Sequence, residues 1–143
     1  MNMSGNFVLL RADSLRLLLP QEDVGAAEYV EHELRPSGEA GVYEHGEGDN
    51  LRWVVALSAQ MRPLPGFPAD RFVLASLRTG ESALSFAWNE VQVLIDAQFE
   101  RHELPVAMQV PGAPIEAYVE RDGQVVLCKN AESVVSYALG AAG

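Results

Sequence analysis

The sequence predicts a mostly-β fold, with about nine short strands and one helix arranged as small barrels or a sandwich. Three observations predict it. Short apolar runs recur along the chain, each bounded by Gly, Pro, Asn, Asp or Ser. Only the C-terminal segment has the spacing of an amphipathic helix. No series of crossover helices separates the runs, which excludes a parallel α/β sheet.

The first two runs, 6–11 (NFVLLR) and 15–19 (LRLLL), are split by Ala12, Asp13 and Ser14 and read as a hairpin. Pro20 stops the second strand because it has no N–H to donate. Residues 21–24 form one helical turn, with Glu22 and Asp23 at its positive end. Residues 27–34 read as a third strand, 35–39 as a loop, and Val42 with Tyr43 as the start of a short strand. Residues 44–50 are polar, with Gly46 and Gly48, and read as a loop. Residues 51–57 (LRWVVAL) form the clearest buried strand of the first half. Residues 62–68 hold three prolines and a glycine, a density that no helix or central strand survives, so they read as a connection.

The second half repeats the style. Residues 71–77 and 82–88 form a hairpin around Arg78-Thr79-Gly80-Glu81, and 89–95 (NEVQVLI) form a strand. Residues 97–104 read as irregular, and Pro105, Pro111 and Pro114 space the following stretch. Residues 115–120 and 124–128 flank Arg121-Asp122-Gly123, and Asp-Gly between apolar runs is a strong hairpin signal. Residues 130–139 close the chain as a helix, with Asn130 as N-cap, Gly140 as stop, and Val134, Val135, Ala138 and Leu139 as its apolar stripe.

At 143 residues the chain suits a single domain, 1–143, with two subdomains divided near 62–70. A hydrophobic fraction of 48% argues against disorder. The absence of a long apolar span or a positively charged leader makes cytoplasm the expected location. One cysteine, Cys128, permits no internal disulfide. Ten Lys and Arg against 20 Asp and Glu give a net charge of −10, and Lys129 is the only lysine. Phosphate backbones and anionic membranes repel such a chain, so neither nucleic acid nor direct membrane insertion is expected.

The chemistry-bearing residues do not form a reaction centre in sequence. His45, Glu47 and Asp49, with Glu44, could offer metal ligands, but they share one loop with no second His or Cys cluster. His32 and His102 sit between charged neighbours and lack a paired nucleophile. Cys128 lies in a strand before Lys129, where burial is the ordinary state of a free cysteine. Gly46 and Gly48 lack the Lys and strand-to-helix context of a phosphate loop. Trp53 and Trp88 read first as core anchors, and otherwise as the border of a docking groove. Tyr29, Tyr43 and Phe67 are weaker residues of the same kind. No catalytic residue, cofactor or metal is expected.

The order of elements resembles the CheW family, the adaptor domain of bacterial chemotaxis-type signalling. Phe7 to Arg11 (FVLLR), Leu15 to Pro20 and Val24 match its opening hairpin, Leu-Pro step and Val-containing turn. Trp53 to Met61 (WVVALSAQM) sits where the family places a strand leading into its mid-chain connection. Residues 71–77 and then 83–95 (ALSFAWNEVQVLI) are similar to its second-barrel segment, whose Asp-Glu-Val step here reads Asn89-Glu90-Val91. Pro105, the Arg121-Asp122-Gly123 turn, residues 125–128 and the closing helix complete the pattern. The family's usual Asn-Leu-Arg-Gly reads Asn50-Leu51-Arg52-Trp53, which marks a divergent member.

The resemblance covers nearly the whole chain, through element order and hydrophobic placement. It implies two small five-stranded β-barrels packed around a shared core, with short helical turns and a C-terminal helix. It also implies a non-catalytic adaptor that docks a histidine kinase regulatory domain, a chemoreceptor or another CheW-like domain. The partner contacts it implies lie near Val24, Ala26, Tyr43 and Trp53. The alternative from a different class is a small-molecule-binding β-barrel with aromatics lining its pocket.

Overall fold

Side-chain alternation builds the first hairpin. In a computed structural model describing residues 2–30, 34–46, 48–59, 61–64, 71–80, 82–105, 117–128 and 130–140, β1 (Asn2–Ala12) pairs antiparallel with β2 (Leu15–Pro20). Period two sends Val8, Leu10, Ala12, Leu15, Leu17 and Leu19 to one face, where all are buried. Phe7, Leu9, Arg11, Arg16, Leu18 and Pro20 occupy the other face. Asp13 turns the chain at φ 55°, a left-handed conformation that Asp tolerates. Gln21–Asp23 then forms the expected helical turn, a 3₁₀ one. The readings on His32, Glu47, Phe67 and Lys129, and on residues 106–116, lie outside the described residues.

The remaining strands are β3 (Glu28–Tyr29), β4 (Arg35–Pro36), β5 (Val42–His45), β6 (Arg52–Ala56), β7 (Val73–Thr79) and β8 (Ser82–Trp88). They are followed by β9 (Glu90–Glu100), β10 (His102–Glu103), β11 (Ala117–Arg121) and β12 (Gln124–Cys128). The C-terminal helix α1 spans Ala131–Gly140. Two curled sheets result. A terminal sheet runs β10-β11-β12-β2-β1-β9, and a central sheet runs β3-β7-β8-β6-β5-β4. Each contains one parallel pair, β12 with β2 and β6 with β8.

The mostly-β architecture with a C-terminal helix is as expected; closed five-stranded barrels are not what forms. Each sheet has six strands, and among the described residues no ladder joins its two end strands. The proline-rich connection joins β6 to β7, both in the central sheet, while the N-terminal hairpin pairs with C-terminal strands. The interval 97–104, expected to be irregular, instead continues β9 to Glu100. A bulge makes this possible. The β1–β9 register passes from Gly5↔Ala97 to Phe7↔Leu94, so Asp96 is the extra residue, at φ 50°, with its N–H donating to Asn6 Oδ1 at 2.9 Å. Within 27–34, only Glu28 and Tyr29 form a described strand, and Arg35 with Pro36 pairs onto β5 instead of looping.

Among the described residues, three apolar cores hold the fold together. The largest lies between the sheets and joins Leu10, Leu17 and Leu19 to Leu77, Phe86 and Trp88, all at most 0% exposed, under Ala131, Val134 and Ala138 of α1. Full burial of each large side chain contributes about 1.5–3 kcal/mol. The concave side of each sheet holds a smaller core. In the central sheet it contains Val30, Leu34, Tyr43, Val54, Ala56, Leu74 and Ala87. In the terminal sheet it contains Leu18, Leu94, Val119 and Val126, with Phe7 and Phe99 edge-to-face at 5.8 Å. Asn130 caps α1 as expected, its Oδ1 accepting from Ser133 N at 2.8 Å, and Asp23 Oδ2 accepts from Ala131 N at 3.0 Å.

Arg71 pins the sheets together. It is 3% exposed, and its Nη1 donates to Ala87 O at 3.2 Å while Nη2 donates to Leu57 O at 2.8 Å. The same Nη2 reaches Asp13 Oδ2 at 3.0 Å, in the turn of the other sheet's hairpin. Asn89 reinforces that junction: its Oδ1 accepts from Asp13 N and its N–H donates to Arg11 O.

Candidate functional site

The four expected contact residues fall in different environments. Val24 is 7% exposed and bridges to Leu77 at the inter-sheet core. Tyr43 is 5% exposed and faces the interior of the central sheet, where burial pushes its phenol pKa up. Neither offers surface to a partner. Ala26 and Trp53 are exposed, and Trp53 keeps 52% of its surface.

Strand alternation explains the split. On β5 and β6 the register is Tyr43↔Val54, Glu44↔Trp53 and His45↔Arg52. Tyr43 and Val54 therefore face the central sheet's own core, while Trp53 shares the opposite face with Glu44, Val42 and Val55, the face whose Val55 end is buried in the inter-sheet core. Ser37, Glu39, Val42 and Trp53 line a shallow depression on that face. Arg52 is turned the other way and donates to Glu28 Oε2 at 2.7 Å, with His45 Nε2 4.0 Å from Glu28 Oε1. The Arg35 guanidinium donates to Gly46 O and so holds the loop before Trp53. Trp88, by contrast, is a core anchor, 0% exposed, with its indole N–H on Ala75 O at 3.2 Å.

Of the residues considered for catalysis, His45, Asp49, His102 and Cys128 are described, and His45 and Asp49 line one hollow with Glu28. Among the described residues, no group of three or more His, Cys, Asp or Glu side chains converges as a metal site would require. His102 stacks on Tyr118 at 5.1 Å. Cys128 is half-buried, and burial raises its thiol to about 11 against a weaker lowering influence from Arg101. It is therefore a neutral thiol at physiological pH, the opposite of an activated nucleophile.

Sequence reasoning missed the concave face of the terminal sheet. Its middle layer is apolar: Leu9 faces Leu18 across β1–β2, and Val119 faces Val126 across β11–β12. Both ends are open. At one end, Met3, Phe7, Leu18, Pro20, Arg101 and Cys128 line a cavity of about 290 Å³. At the other, Arg11, Arg16 and Arg121 gather with Gln92 and Gln124 around about 160 Å³. The available signal was period two itself: each arginine lies two residues beyond a lumen residue, Leu9, Leu18 or Val119.

The structure thus defines a two-sheet β domain whose exposed aromatics among the described residues are Tyr29, Trp53 and Phe72, with Trp53 beside a short acidic loop, and in which no described cluster of His, Cys, Asp or Glu could hold a metal. No family model matches the chain, and no curated protein shows detectable sequence similarity to it. No helix among the described residues is long and apolar enough to cross a membrane.

Proposed function

We propose that this chain is a non-catalytic docking protein of the CheW-like kind, a scaffold that binds a histidine kinase regulatory domain, a receptor or another CheW-like domain. The observation that carries the reading is Trp53. A large aromatic that is 52% exposed on a regular strand, beside a depression and outside every core, is what an interface anchor looks like before its partner arrives. The order of elements from the opening hairpin to α1, and the two curled sheets around a shared core, support the same reading. Exposed Ala26, on a separate loop, is a secondary contact.

Isothermal titration against a purified histidine kinase regulatory domain, a receptor tip and a second CheW-like domain tests it. Trp53→Ala should weaken the productive complex at least tenfold, because buried interface tryptophans contribute about 2 kcal/mol or more. Its melting temperature should stay near that of the wild type, since exposed substitutions change stability by about 0.5 kcal/mol or less. No binding to any of the three partners would overturn the proposal.

The small-molecule alternative retains one specific support, the two cavities at the ends of the terminal sheet's lumen. It predicts a ligand-dependent rise in melting temperature that Trp53→Ala leaves intact.

A further inference from the structure

We infer that the arginine-lined mouth of the terminal sheet is a binding site for a small phosphate-type oxyanion. This goes beyond the docking reading and does not rest on it. The chain has twice as many acidic as basic residues and nine arginines in all. Three of these, Arg11, Arg16 and Arg121, line one cavity of about 160 Å³.

The arrangement is costly without an anion. Arg11 and Arg16 are direct cross-strand partners on β1 and β2, and like charges so placed repel. Arg121 joins them from β11, through Gln124, its partner on β12. Local carboxylates do not resolve the repulsion. Glu90 meets Arg11 only at 3.4 Å, with its side chain 57% exposed. Among the described residues, Arg16 and Arg121 have no carboxylate within ion-pair distance. Arg16 reaches only Ser14 O, at 3.5 Å.

The chemistry of the lining selects the ligand. Guanidinium forks present parallel N–H donors that match the oxygens of a phosphate or carboxylate, and the flanking amides of Gln92 and Gln124 can donate as well. Leu9 and Val126 form an apolar floor, which lowers the local dielectric and strengthens each charge-assisted bond. Glu90 and Asp122 on the rim leave the site a net charge of +1, from three arginines and two carboxylates. That surplus favours a compact dianion over a long acidic chain, which the overall −10 charge would repel.

Thermal unfolding at fixed ionic strength, with inorganic phosphate, pyrophosphate and a nucleoside triphosphate titrated against chloride, tests the site. At ten times its Kd, a bound anion should raise the melting temperature by about 3–6 °C. Arg16→Gln and Arg121→Gln should each abolish that rise. Arg16→Gln should also melt at or above the wild type without anion, because it removes the cross-strand repulsion. Arginine Nε–Hε resonances of the wild type should shift with the same anion, independently of the melts. A response to inorganic phosphate assigns the site to the free ion, and a response only to the nucleotide assigns it to a phosphorylated metabolite; both support the inference. No response to any of the three, equal responses in the variants, or binding only of a poly-glutamate peptide would overturn it.

Discussion

Single side chains show where this fold spends its polarity. Arg71 is buried with two carbonyls and one carboxylate on its Nη atoms, and its Nε has no partner. Arg71→Ala should lower stability in urea melts by about 2–4 kcal/mol, because it strands the Leu57 and Ala87 carbonyls and opens a cavity. Asp13→Asn should cost less than about 1 kcal/mol, since the Asp13 side chain is half exposed. Equal losses would show that the ion pair, and not the carbonyl contacts, holds the sheets together. Cys128 gives a pH-dependent prediction. Its folded thiol is raised to about 11 from an ordinary 9.0, so the folded state keeps a proton that the unfolded chain releases first. That contribution is fully present below pH 9 and is lost as pH rises towards 11. Alkylation should be slow at pH 8 and accelerate about tenfold per unit up to the folded pKa, and Cys128→Ala should flatten the alkaline fall of the melting temperature. Legibility at this scale was uneven. Trp88 and Trp53 look alike in sequence, yet one is a core anchor and the other is exposed, because the residues facing them across the ladders are set by tertiary pairing. Arg71 was invisible as a clamp because an arginine heading an apolar run is ordinarily a solvated end.

Elements were most legible where local chemistry dictates the backbone. Asp122 and Gly123 both take positive φ, 52° and 78°, as an Asp-Gly hairpin turn demands, and the strands on either side formed as expected. The hairpin of β7 and β8 and the Asn130 cap were equally readable, since each depends on a few adjacent residues. The continuation of β9 past Asp96 was not, because a bulge costs one residue of phase and makes a single strand resemble two segments. Two glycines separate conformational from steric demand. Gly41 has φ 78°, and a Cβ there would come within 2.7 Å of Pro63 Cα and 2.8 Å of Leu64 N. Gly123 has the same φ with nothing within 4 Å. Gly123→Ala should therefore cost about 1–2 kcal/mol, the left-handed penalty alone. Gly41→Ala should cost about 2–5 kcal/mol in the same urea melts, because overpacking against residues 63–64 is added. Equal losses would mean that the segment after β6 yields freely and does not brace β5.

At the scale of the whole molecule, the sequence concealed which strands belong together. A division near the prolines at 62–70 is the natural reading of composition, but β1 pairs with β9 and β2 with β12, contacts between opposite ends of the chain that no local pattern reports. The consequence is thermodynamic. The two sheets are not two foldable halves, because their largest core is common property: Leu10, Leu17 and Leu19 of one sheet pack with Leu77, Phe86 and Trp88 of the other, beneath α1. Neither face has an alternative place to be buried, so the sheets should unfold in one cooperative step. Each sheet carries its own reporter. Trp88 fluorescence follows the central sheet from a 0% exposed site, and alkylation of Cys128, slow while the folded sheet keeps its thiol protonated, follows the terminal sheet. In urea, the two signals should share one midpoint. Leu17→Ala, confined to the terminal sheet, should remove about 2–5 kcal/mol and move both midpoints together. If Cys128 became reactive at a lower urea concentration than that at which Trp88 changed its emission, the terminal sheet would be an independent unit, and the shared core would not couple the sheets.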